Sequence, residues 1–406
     1  MKRSVFFACF FAVVGAMTGC SSSSSGGGGE VQKQLTDREV LMLIFTNLNG
    51  ENWSEKAKEN WGSELPLSKW NGVKADENDR VTELYLRGDS IKGTYPTEIG
   101  QLTELKSMSI LGGGYKATEQ PFPASIGDLT NLESLTLDGR LKDIEVILPP
   151  VGKLVNLKTL NLYGKAKAPE GIEQLTNLTE FIMNGLAGEF PAAVSKLTSL
   201  EKLDLRGYSF TGAIPSDIGN LKKLRSLTID KSQFIGGAES LAGTLPESIW
   251  DLENLVYLFI RGIVSTGTLS PKIANLKKMK DITIIECGLT GEIPVEVYSL
   301  PELKKFSVYK NNLTGTISPE IGNLEKLEDF SINDNQFTGT LPATMGKLSK
   351  LRSLHVQKNL FTGAIPAELA KCPLGTFVDF TGNQFSTNIA PALKAHKDFE
   401  KWKIDK

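Results

Sequence analysis

Residues 351–374 read LRSLHVQKNLFTGAIPAELAKCPL, and the order of residue types in that stretch decides the fold. Leu351, Leu354 and Val356 open it. The last two are two apart, so in an extended strand both face one side while His355 faces the other. That pattern describes one short strand of a parallel stack whose inward residues form a continuous core. Asn359 follows where the chain leaves the strand. Its amide has two donors and two acceptor sites, enough to satisfy turn backbone groups that would otherwise be buried unpaired. Gly363 permits a tight turn and Pro366 fixes the returning backbone, so residues 366–369 form a short convex-side helix or turn.

The same phrase recurs outward in both directions. Asn311, Asn335, Asn359 and Asn383 are each 24 residues apart; Phe337, Phe361 and Phe385 keep that step, as do Gly243, Gly267, Gly291, Gly315, Gly339 and Gly363. Pro342 and Pro366 do too, and Pro191 and Pro215 repeat it further back. Self-similarity at such a period is the signature of a solenoid. The inward pairs are Leu84/Leu86, Met108/Ile110, Leu135/Leu137, Leu160/Leu162, Phe181/Met183, Leu203/Leu205, Leu227/Ile229, Leu258/Ile260, Ile282/Ile284, Phe306/Val308, Phe330/Ile332, Leu354/Val356 and Val378/Phe380. Thirteen strands at about 4.8 Å give a sheet of roughly 58 Å. The spacing drifts in the first half and is a strict 24 from Ile260 onward.

This 24-residue form, with its G-x-I-P, resembles the plant-specific leucine-rich-repeat class, found in receptor-kinase ectodomains, polygalacturonase-inhibiting proteins and bacterial lipoproteins. The resemblance covers about residues 36–391. It implies an α/β, right-handed leucine-rich-repeat solenoid with a parallel β-sheet on its concave face, repeats over 81–391, and terminal caps over 35–80 and 392–406. The first cap is marked by Trp70-Asn71-Gly72-Val73 and Arg80-Val81-Thr82, with Trp53 and Trp61 upstream. Plant caps carry two cysteines flanking W-x-G-V; Ser68 and Ala75 stand there in this chain, so packing is expected to hold the cap. Thr36 with Glu39 is a capping box opening a helix through Phe45. Leu393, Phe399 and Trp402 mark the other cap. In earlier repeats the Asn position holds Cys287, Ser232, Tyr208 and Arg140, and a packing role is expected for Cys287. Cys372 lies on the convex side, too far for the roughly 7 Å between Cα atoms that a disulfide with Cys287 requires.

At the N-terminus, Lys2 and Arg3 precede an apolar run over residues 5–16, too short for the ~20 residues of a spanning helix. Met17-Thr18-Gly19-Cys20 then resembles a bacterial lipobox, although Met17 stands where Leu is usual. The resemblance implies a signal peptide over 1–19 and lipidation of Cys20 as the first mature residue. The Ser and Gly run that follows cannot bury surface, so residues 20–34 read as a flexible tether. This places the protein in the bacterial cell envelope, as an outer-membrane lipoprotein with its periplasmic or surface face left open.

The 406 residues are 40% apolar and 23% charged, with formal net charge -2, which gives no basic footprint for nucleic acid. The two histidines, His355 and His396, are far apart. Neither H-E-x-x-H, G-x-S-x-G, a P-loop nor paired-cysteine metal spacing occurs, so no enzyme activity, metal or cofactor is expected. Asp76, Asn78 and Asp79 lack the rest of a calcium loop and read as a solvated turn.

Outward strand positions form the concave surface. Over the middle strands they include Tyr163, Arg206, Tyr257, Phe259, Arg261 and Tyr309, residue types favoured in binding hot spots. Phe259 stands out as an apolar ring in a solvent-facing place. Enlarged loops over 111–122 and 230–242 leave the rim beside this face. The expected partner is a protein bound there, in adhesion or in host or partner interaction. A glycan captured during polysaccharide use and a purely structural envelope role are the alternatives. Membrane contact is expected through the lipid alone, and the chain is expected to be a monomer.

Overall fold

The structure, a computed structural model, describes residues 34–88, 91, 93–111, 122–139, 145–207, 209–231, 241–264 and 267–405. The signal segment, Cys20, residues 20–33 of the tether, most of both enlarged loops, and Arg140, Tyr208 and Ser232 lie outside the described residues. The folded unit is Leu35–Lys406.

The expected parallel stack is present. Fourteen strands follow one another along a single sheet; the first, Val73–Ala75, runs antiparallel to Val81–Arg87, and the other thirteen are parallel in chain order. They carry the first nine inward pairs whole and the first member of the last four, and every member of every pair is buried. The strands shorten toward the C-terminus: Lys305–Ser307 and Ser353–His355 hold three residues each. Val308 and Val356 are buried just past their ends.

Behind the sheet, most repeats return through a 3-10 turn such as Thr97–Gln101, Ser216–Asn220 or Ala343–Lys347, the return over residues 145–158 being made by plain turns. A proline, here Pro96, Pro215 or Pro342, precedes each of these and pre-sets the extended entry. The middle residue (Ile99, Ile218, Met345) points inward and is fully buried, so strand and turn close on one apolar layer. The phenylalanines of successive repeats stack at 6.2 Å for Phe337–Phe361 and 6.0 Å for Phe361–Phe385.

The asparagine ladder links one turn to the next. Asn335 Nδ2 donates to Val308 O at 2.9 Å and Ile332 O at 3.0 Å, and its Oδ1 accepts from Leu313 N at 3.0 Å. Asn311, Asn359 and Asn383 repeat the pattern. Cys287 holds the same place by bonding as well as by packing. Its thiol donates to Ile285 O at 3.1 Å and reaches Ile260 O at 3.7 Å, the carbonyl 27 residues back that each asparagine also meets. Burial pushes that thiol up to about 11. Cys287 and Cys372 are both free and buried.

One turn position adopts a left-handed backbone at the repeat step. Glu286, Lys310, Asp334 and Lys358 have φ of 54, 53, 54 and 55°, with Gly262 and Gly382 at 72 and 67° on either side. A side chain on Gly262 would put Cβ 2.4 Å from Lys231 O, so glycine is required there.

The two ends are closed by aromatic packing. Helix Asp37–Asn47 opens with the Thr36/Glu39 capping box and runs two residues past Phe45. Phe45, Trp53, Trp61 and Trp70 form a chain of ring contacts at 5.2–5.9 Å, so packing holds this cap as expected. Asp37 pins the helix to the sheet, accepting from Val81 N at 2.6 Å and Arg80 Nε at 3.0 Å. Asp76 Oδ1 accepts from the backbone of Asn78 and Arg80, and Asp79 Oδ1 from Leu67 N, so these oxygens build turns. At the far end Trp402 packs on Phe399 and Phe380, and Lys403 bridges Asp379, covering the last strand.

Candidate functional site: the concave face

Pairing register determines which outward side chains are neighbours. Along the C-terminal edge of the strands Tyr163 pairs with Asn184, Asn184 with Arg206, Arg206 with Asp230, Asp230 with Arg261, and Arg261 with Ile285. Tyr309 continues the row, two residues past Ser307, which pairs with Thr283. Tyr163, Arg206, Arg261 and Tyr309 therefore occupy alternate strands of a single line, about 10 Å apart. Tyr257 and Phe259 share the Tyr257–Arg261 strand with Arg261 and fall in the other two rows. All six candidates face the concave side.

Their exposure differs from the sequence expectation in one respect. Tyr257, 51% exposed, offers the large free ring, whereas Phe259 is half-buried between Thr228 and Thr283. A central outward position on a bowed sheet is partly covered by the side chains of both adjacent strands. Thr228, Thr283, Ser307 and Ser331, the short residues of that central row, are buried and form a floor. Thr283 donates to Asp281 at 2.8 Å and Ser331 to Asp329 at 2.7 Å. Beside the floor, Tyr257, Lys280, Asp281, Lys304 and Lys305 line a shallow hollow of about 190 Å³.

The row is also a charge network. Arg206 grips Asp204 with two bonds, Nε–Oδ1 at 2.7 Å and Nη2–Oδ2 at 3.0 Å. Arg261 Nε donates to Glu286 at 3.0 Å, and Lys310 Nζ to the other oxygen of Glu286 at 2.8 Å. Lys310, burial working slightly against it, holds its proton more firmly through the bond to Glu286. Glu286 lies below its ordinary value, first through that bond and then through Arg261 against burial. Asp230 and Asp281 lie above theirs because burial outweighs their cationic neighbours. Asp204, Asp230, Glu286 and Lys310 were not among the sequence candidates. The register rule that found Arg206 also covers Asp204, which lies between Leu203 and Leu205, and Asp230, which follows Ile229.

This fold and face define a leucine-rich-repeat solenoid with an open concave surface. Residues 140–263 match the family described as a leucine-rich repeat region. No curated protein matches the chain. Among solved structures, it is similar to a plant peptide hormone receptor, RGFR1, in complex with RGF2, at 25% identity and TM-score 0.66 over 81% of this chain and 59% of that one. A TDR receptor is 30% identical with TM-score 0.63, covering 79% and 58%. A leucine-rich-repeat protein of Leptospira interrogans is 26% identical with TM-score 0.63, covering 81% of this chain and 85% of that one. The chain thus spans less than two thirds of the two receptors and most of the bacterial protein.

Proposed function

We propose that this protein is a lipid-anchored binding protein of the bacterial cell envelope that recognises a polypeptide on its concave face. The observation that carries the reading is the single row in which Tyr163, Arg206, Arg261 and Tyr309 recur on alternate strands beside the exposed Tyr257. Evenly spaced aromatic and guanidinium groups supply contact area and polar handles along a line. An extended chain lying across the strands would meet them in turn. The peptide complex of the plant receptor, at similar fold, supports a polypeptide over a sugar. Anchoring rests on the resemblance of residues 17–20 to a lipobox, with Cys20 as the acylated residue.

Ligand capture by the full chain and by Tyr257→Ala and Arg261→Ala variants tests the site, with a glycan array run in parallel. Capture of a polypeptide that both variants weaken supports the reading; undiminished capture moves the site to another surface, and binding to glycans alone replaces the ligand class. Mass analysis of the mature N-terminus for an acylated Cys20 tests the anchor, and protease accessibility on whole cells tests the exposed side.

A further inference from the structure

The hollow beside Tyr257 carries more positive charge than its surroundings absorb. Tyr257, Lys280, Asp281, Lys304 and Lys305 line it, on three adjacent strands and the turns that lead into them. Three ammonium groups therefore face one carboxylate. Asp281 accepts from Thr283 at 2.8 Å and pairs with Lys305 at 3.9 Å, while Lys304 reaches away to Glu328 at 3.2 Å. Glu302, which also feels Lys280, is bonded to Lys326. Among the described residues the Lys280 ammonium makes neither an ion pair nor a hydrogen bond. The lining is open to solvent: Tyr257 is 51% exposed, and the Lys304 and Lys305 side chains 50% and 40%. The chain as a whole carries a formal charge of -2, so this positive surplus is local.

We propose that this hollow is a subsite for an acidic side chain of the bound polypeptide, its carboxylate held by Lys280 and Lys304 and its methylenes lying against the Tyr257 ring. The inference rests on the concave-face reading above and names the kind of residue the ligand carries at this point.

Position and charge both select an anion. Lys280 N donates to Val256 O at 2.9 Å and Lys304 N to Lys280 O at 2.8 Å, so the two lysines stand on successive chains of the stack beside Tyr257. Successive strands lie about 4.8 Å apart, close enough for one carboxylate to meet both ammonium groups. An ammonium has only donors and a carboxylate only acceptors, and the charge on each strengthens the bond. A cationic side chain would meet three like charges and one carboxylate that is already bonded. An apolar side chain would strip water from the ammonium groups and return no hydrogen bond. Tyr257 supplies the apolar wall, a ring with a polar tip. The other edge of the strands offers no such opening, because Arg206 is closed by Asp204, and Arg261 and Lys310 by Glu286.

The test uses the full chain as bait for a phage-displayed library of random linear peptides. Selected peptides are synthesised and titrated by calorimetry against the wild type, Lys280→Gln, Lys280→Glu, Tyr257→Ala and, as a control on the outer turn, Lys272→Glu, with thermal melts confirming that each variant folds. The peptides should carry Asp or Glu. Lys280→Gln should weaken binding about fivefold, the upper end for one solvent-accessible ion pair, Lys280→Glu about 25-fold, and Lys272→Glu not at all. Exchanging the acidic residue of the peptide for Lys should lose binding to the wild type and regain it in Lys280→Glu, a reciprocity that diffuse attraction does not give. Acidic residues replaceable by Gln without loss, or equal weakening by Lys272→Glu and Lys280→Glu, overturn the subsite. Loss on amidating the peptide C-terminus, with none on replacing its acidic side chains, overturns the side chain as the source of the carboxylate. Wild-type affinity in both Lys280 variants, with weakening in Tyr257→Ala, overturns the subsite and leaves the concave site standing. Wild-type affinity in Tyr257→Ala as well, or no captured peptide, overturns both, and uronate oligosaccharides bound in place of peptides overturn the polypeptide.

Discussion

Replacing Asn335 by Ala isolates what holds one repeat to the next. The side chain is 9% exposed and supplies two donors, to Val308 O and Ile332 O, and one acceptor, to Leu313 N. Alanine leaves three main-chain groups without those partners. Each orphaned buried group costs roughly 1–3 kcal/mol, so the sum is at least ~3 kcal/mol, a large share of the ~5–15 kcal/mol that usually holds a domain together. In a solenoid each repeat touches only its neighbours, so the loss should be local. The assay is urea unfolding followed by circular dichroism, paired with native-state hydrogen exchange. Asn335→Ala should lose about 3 kcal/mol, with the Leu313 amide exchanging much faster and the Leu84 amide near the first cap unchanged. A loss below ~1 kcal/mol, or an unaltered Leu313 amide, would refute the assignment of the ladder as the inter-repeat clamp.

Further expectations follow from other positions. Cys287→Asn should fold and match or exceed wild-type stability by up to ~1 kcal/mol, because the amide can take over the carbonyls the thiol meets; a melt lowered by several degrees would contradict the equivalence. At Lys358, with φ of 55°, glycine should be tolerated while valine costs about 1–2 kcal/mol, measured by the same unfolding curves, since a β-branched side chain opposes the left-handed backbone. Glu286, held below its ordinary value of 4.5 first by Lys310, contributes stability that is present above that value and lost as pH falls through the lower folded value. Glu286→Gln should therefore flatten the acid limb of a stability-pH curve, and an unchanged limb would show the ion pairs of the rim to be idle.

The repeat and its core were legible because they depend on local order. Leu354 and Val356 declare an inward side through period-two spacing alone, and the Thr36/Glu39 box fixes a helix start from four residues. Cross-strand neighbours are another matter. Arg206 and Asp230 are 24 residues apart but Asp230 and Arg261 are 31 apart, so the row that joins them emerges only once pairing sets the register. Phe259 shows the same limit. Its outward direction could be read, while its partial burial depends on residues from two other repeats. The thiol of Cys287 standing in for an amide was hidden as well, because its bonding partner Ile260 O belongs to the preceding turn.

The concave-face assignment is tested most directly by a photo-reactive amino acid placed at Tyr257 on the inner sheet and, separately, at Lys272 on the outer turn. Illumination of intact cells or of the protein with its captured peptide should give a covalent adduct from position 257 and none from 272. Adducts from 272 alone would place the partner on the outside of the coil and contradict the account.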